Sequence, residues 1–164
     1  MEVGSAHFLF GDRMPDQDLN SRLAGLVQEP LFLVALELTG DSKGRVLRVV
    51  VDTDSGVTVQ QLSDLSRSLG RVLDEEDLVA GRYRLECCSP GLDRPLQHPR
   101  LLARAVGRRV RVRLARIPRE VESPPELVGR LLACDGDGIG IDVDGEVVKV
   151  GRERIQAIHH SLEW

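Results

Sequence analysis

Between positions 94 and 119 the chain carries nine arginines and no acidic side chain. Eight of them, Arg94, Arg100, Arg104, Arg108, Arg109, Arg111, Arg113 and Arg116, are the candidate contacts to an anionic partner. Arg109, Arg111 and Arg113 alternate with Val110, Val112 and Leu114, a period that predicts a half-buried strand with a basic outer face. Alternate side chains on a strand stand roughly 6.5 to 7 Å apart, near the separation of successive phosphates along one nucleic-acid strand. Guanidinium also grips phosphate oxygens in bidentate fashion. The competing reading is a solvated face neutralised by acidic neighbours. Residues 1–93 carry nine basic and sixteen acidic side chains, and residues 120–164 carry four and ten. The net charge of −4 by itself argues against nucleic-acid binding, but it hides a localised basic block. Tyr83, Trp164 and three phenylalanines are all the aromatics available, so sequence-specific reading of RNA by base stacking is not expected.

Catalytic groupings are missing. There is no G-x-S-x-G, no phosphate-cradling glycine loop and no H-E-x-x-H pair. Asp135-Gly136-Asp137-Gly138 lacks the remaining positions of a calcium loop and reads as a turn. His98 precedes Pro99 at a helix start, where capping accounts for it, and His159-His160 reads as tail. The three cysteines have no C-x-x-C spacing. Cys87, Cys88 and Cys134 are expected as free, reduced thiols in a cytoplasmic protein. The chain is therefore read as a non-enzyme with no cofactor and no metal. No apolar run approaches the length of a membrane helix, and Phe8-Leu9-Phe10 is too short for a signal peptide.

The elements that would position the basic block follow from hydrophobic period. Residues 1–14 have no clear period and read as a flexible extension. From Asp16, the positions Leu19, Leu23, Leu26 and Val27 form one helical stripe, bracketed by Pro15 and Pro30. Leu31 to Leu38 and Arg45 to Asp52 read as strands joined across Gly40-Asp41-Ser42-Lys43-Gly44. Thr58 and Gln61 compose a capping box ahead of Leu62, Leu65, Leu69, Val72 and Leu73. Asp74-Glu75-Glu76-Asp77 reads as a solvated end to that helix. Arg82 to Cys88 alternates as a third strand. The order helix, strand, strand, helix, strand predicts an α+β domain over residues 15–89.

Beyond it, Pro99 to Val106 predicts a short helix. Val110–Leu114, Leu127–Cys134, Ile139–Val143, Glu146–Val150 and Ile155–His159 predict five short strands. The segment from Ile117 to Glu126, with three prolines, reads as a loop, and Asp144-Gly145 has the composition of a type I′ turn. Five short strands with tight turns predict a small closed β-barrel of the SH3 or Sm kind over residues 99–164.

Residues 90–98 join the two domains. Ser89, Pro90, Gly91, Leu92, Asp93, Arg94 and Pro95 read as a rigid inter-domain joint: proline presets one turn residue and Gly91 is expected to take the positive φ that follows. Asp93 and Arg94, being adjacent, point apart and are expected to pair across the joint. The stretch Leu85-Glu86-Cys87-Cys88-Ser89-Pro90-Gly91-Leu92-Asp93-Arg94-Pro95-Leu96 closely resembles the signature of the bacterial ribosome maturation factor RimP family. There a strand ending in Leu-Glu-Val-Ser runs into Ser-Pro-Gly-Leu-Asp-Arg-Pro-Leu. Ser89 to Leu96 match in full, and Cys87-Cys88 stands where the family usually has Val-Ser. The resemblance extends weakly over residues 16–160.

What it implies is the same two-domain plan and a monomeric, non-catalytic assembly factor. Such a factor binds the immature small ribosomal subunit, through rRNA and a ribosomal protein, and promotes its maturation. No small-molecule substrate is implied. Two rival expectations are an Sm-like RNA-binding regulator and a protein-interaction adaptor without RNA contact.

Overall fold

The computed structural model describes residues 17–41, 43–115 and 125–162. The chain divides into two compact units, residues 1–90 and 91–164. In the first, the helical stripe forms α1, Gln17–Leu26, with Leu19 and Leu23 buried. It is followed by β1, Phe32–Asp41, and β2, Gly44–Asp52, which pair antiparallel from Phe32 opposite Asp52 to Asp41 opposite Gly44. Helix α2, Val59–Glu76, then carries the chain back so that β3, Tyr83–Cys88, lies parallel to β2. The result is a three-stranded sheet in the order β1-β2-β3.

Helix α2 starts where its sequence says it should. Thr58 Oγ1 accepts from the Gln61 amide at 3.2 Å, and the Thr58 amide donates to Gln61 Oε1 at 2.9 Å. Two amides that the first turn leaves unpaired are thereby satisfied. Leu65, Leu69 and Leu73 descend into a core with Leu19, Leu23, Leu36, Leu47, Val49 and Val51. Tyr83, Leu85 and Cys87 pack against the same core from β3. The acidic end of α2 is exposed but does more than meet water. Glu76 accepts from the Arg22 guanidinium on α1, and Tyr83 donates its phenol to Asp74 at 2.9 Å.

The second unit begins with the signature segment from Gly91. The Arg94 amide donates to Gly91 O at 3.1 Å, and the Leu96 amide donates to Ile158 O at 2.6 Å. Leu96 is buried, and the His159 ring Nδ1 meets Asp93 O at 3.1 Å. Gly91 is not in the left-handed region and a Cβ there would meet nothing within 4 Å. The expectation of a positive φ is corrected: the turn is closed by Gly91 O, and neither φ nor space for a Cβ requires glycine there.

Helix α3, Pro99–Ala105, opens at His98, whose Nδ1 accepts from the Arg100 amide at 3.2 Å. Five strands follow: β4 (Arg109–Leu114), β5 (Glu126–Cys134), β6 (Gly138–Val143), β7 (Glu146–Gly151) and β8 (Ile155–His160). They form one antiparallel sheet in the order β7-β6-β5-β4-β8. The expected closed barrel is not formed, because among the described residues no ladder joins the edge strands β7 and β8. A single 3-10 turn, Arg152–Arg154, separates them, and β8 spends its hydrogen bonds on β4 instead. His159-His160 is corrected as well: both belong to β8 rather than to a tail.

The Asp144-Gly145 turn has positive φ at both residues, as a type I′ turn requires. Asp135 Oδ1 accepts from the Asp137 and Gly138 amides, so that aspartate shapes its turn. No group of three metal-ligating side chains occurs among the described residues.

Candidate nucleic-acid interface

The basic block is presented by α3, the turn after it and β4. Strand β4 alternates strictly: Val110, Val112 and Leu114 are buried, while Arg109, Arg111 and Arg113 are exposed. The reason is local, since the apolar residues face Gly129 and Leu127 of β5 and Ile158 of β8. Successive residues of a strand point to opposite faces, which leaves the three guanidiniums together on the other side.

Each arginine has a different setting. Arg113 is opposite Glu126, and lines a surface cleft of about 600 Å³ with Leu114, Ala115, Pro125, Glu126 and Gln156. The Arg111 Nε lies 3.6 Å from Glu126 Oε1, an exposed pair of small energetic weight. Arg109 is directly opposite Arg130 of β5. Arg104, Arg108, Arg109 and Arg130 converge on a second cleft of about 510 Å³, completed by Leu92, Gly107, His160, Ser161 and Leu162. Arg94 and Arg100 line neither cleft; both are half-buried, and Arg100 sits in the first turn of α3. Arg116 lies outside the described residues.

Sequence reasoning missed Arg130 and His160. Arg130 falls in a net-acidic stretch, and only the β4–β5 register sets it beside Arg109. His160 is drawn in by the pairing of β8 with β4, opposite Val110. Burial lowers the His160 imidazole pKa first, and Arg108 and Arg104 lower it further. His98 is lowered in the same way, by burial and then by Arg100.

The arginines of the first unit contrast with these. Arg48 lies 3.5 Å from Glu37 and 3.2 Å from Glu86, and Arg84 lies 2.8 Å from Glu86. The hydrogen bond to Glu86 raises the Arg48 pKa, and that from Arg22 lowers the Glu76 carboxyl. Arg108 and Arg130, by comparison, meet no carboxylate within 4 Å among the described residues.

Cys87 and Cys134 are poor nucleophiles. Burial pushes the Cys87 thiol up to about 11 and also raises Cys134. A reactive cysteine needs the opposite shift.

Residues 23–93 match the family described as the RimP N-terminal domain. That match supports assignment of the chain to the RimP family. The matched segment takes in the last four residues of α1, the whole three-stranded sheet and α2, and it ends inside the signature at Asp93. RimP is a family of non-catalytic ribosome maturation factors. No helix among the described residues is long and apolar enough to cross a membrane. The arginine-bearing sheet lies outside the matched residues.

Proposed function

We propose that this chain binds the immature small ribosomal subunit and promotes its maturation without catalysing a reaction. In this reading the second unit is an Sm-like module acting in the cytoplasm as a monomer, and its exposed arginines meet rRNA phosphates. A ribosomal protein is the further partner. The domain plan is residues 15–89 and 99–164, with residues 90–98 as the joint. The observation that carries the proposal is the alternation of β4, which exposes Arg109, Arg111 and Arg113 in a row while their neighbours are buried. Such a row neutralises phosphate charge without consulting base identity.

The test is an Arg109→Gln, Arg111→Gln, Arg113→Gln variant. Its buried face is untouched, so the sheet is expected to fold. Affinity for immature subunits is expected to fall. The slope of log affinity against log salt is expected to flatten by roughly 2 to 3, because each lost phosphate contact retains about one counterion. An unchanged slope in the folded variant removes the strip from the interface. Arg111 already has a carboxylate neighbour in Glu126, so it is expected to contribute less than a full contact to that slope.

A further inference from the structure

The cleft bounded by α3, β4, β5 and β8 has a composition that the outer strip does not. Its lining holds four guanidiniums, one imidazole, a serine and two leucines, and no carboxylate among the described residues. Leu92 and Leu162 are unusually open for their type, at 56% and 52% exposure. A concave site gathers charge more effectively than a convex face, because its low-dielectric walls focus the field. Two apolar side chains at the rim of such a site offer a surface to a ribose or a base.

We propose that this cleft is a phosphate-binding site whose ligand is an RNA phosphodiester, held by Arg108 and Arg130 and hydrogen-bonded by protonated His160. The identity of the ligand as RNA rests on the function proposed above; the existence of an anion site does not. The cationic groups that act on His160 are Arg108, from the turn before β4, and Arg104, from α3, while Arg109 and Arg130 line the same cleft from β4 and β5. In the segment packed on β8, the backbone oxygen of Asp93 meets His159. Arginines beside the imidazole disfavour its protonation in the empty site. A phosphate bound among them reverses that balance, so binding draws a proton onto His160. Affinity therefore rises as pH falls through the bound-state pKa of His160. It levels off below the free-state value, where the ring is already charged. A rise of one unit on binding corresponds to a tenfold difference in affinity between the two limits.

The experiment is an NMR titration of the full-length chain with a short single-stranded oligoribonucleotide, following the imidazole signals of His160 and, as an internal control, His98. The expected result is an upward move of the His160 titration midpoint at saturation with no move at His98. Affinity is expected to be tighter below the free His160 pKa than above the bound one, and His160→Gln is expected to abolish that difference. Arg108→Gln, Arg130→Gln is expected to lose at least tenfold in affinity; both side chains are exposed, so folding is expected to persist. RNA binding that leaves His160 unmoved overturns the proposal while sparing RNA contact elsewhere. An oligoribonucleotide that fails to bind also overturns it, and subunit binding with its salt slope then decides the fate of the broader reading separately. Inorganic phosphate is the second arm: an equal effect at equal concentration reassigns the cleft to small phosphates and overturns the RNA assignment.

Discussion

Gly129→Ala puts a single methyl group between two strands that leave no room for it. Gly129 is buried on β5, opposite Val110 of β4. A Cβ built there lies 2.1 Å from Asp142 O, 2.9 Å from Asp142 C and 3.1 Å from Ile141 Cγ1. The nearest neighbour is backbone, which cannot rotate away as a side chain would. A carbon–oxygen contact settles at about 3.3 Å, so β6 has to withdraw by roughly 1.2 Å. That displacement takes ladder bonds beyond about 3.2 Å, the upper end of good geometry. Overpacking costs about 1 to 3 kcal/mol, and one or two weakened ladder bonds add about 0.5 to 1.5 kcal/mol each. A total near 3 kcal/mol lowers the melting temperature of a unit this size by roughly 12 to 24 °C. Gly140→Ala is the matched control on β6, because a Cβ there meets nothing within 4 Å. The assay is thermal denaturation of both variants and the parent, with the second unit followed by its amide signals. Arg130 adjoins Gly129, so RNA affinity is expected to fall in Gly129→Ala even below its melting transition. A Gly129→Ala variant melting within 2 to 3 °C, roughly 0.5 kcal/mol, of Gly140→Ala refutes the close-approach argument.

Gly91→Val is expected to change stability by less than about 1 kcal/mol, since neither φ nor space demands glycine there; a melting drop beyond roughly 8 °C contradicts this. Alkaline stability is expected to decline in two steps. Cys87 is pushed up to about 11 by burial, and Tyr83 up to about 12 by burial and then by its hydrogen bond to Asp74. Both folded-state values exceed those of the unfolded chain, so their contribution is complete below the ordinary thiol and phenol values and is lost as pH rises through the folded ones. Urea midpoints measured from pH 8 to pH 11 are expected to fall less steeply in Cys87→Val, and identical curves exclude Cys87 as a cause.

Much of the fold was legible because its determinants are local. Thr58 and Gln61 cap α2 using groups three residues apart, and the β4 arginines are set by the two-residue period of a strand. The family signature is likewise a contiguous string, readable without knowing what it packs against. Two features were not legible in this way. The turn composition around Gly91 predicts a positive φ, yet the turn that closes there needs none. The number of short strands predicts barrel closure, whereas closure depends on which edges find each other. Here β8 follows β7 by one 3-10 turn and pairs with β4.

The candidate cleft shows the same division. The sequence alone determined that Arg104, Arg108 and Arg109 would be close, since a short helix end and a strand start hold them within six positions. Only the tertiary structure decided that Arg130 and His160 join them. Their approach depends on the β4–β5 and β4–β8 registers, in which residues 20 to 50 positions apart become direct neighbours. Charge along the chain is a one-dimensional quantity, and it averages Arg130 into an acidic segment. Electrostatic potential is set by distance in space, and pairing between strands is what creates those distances.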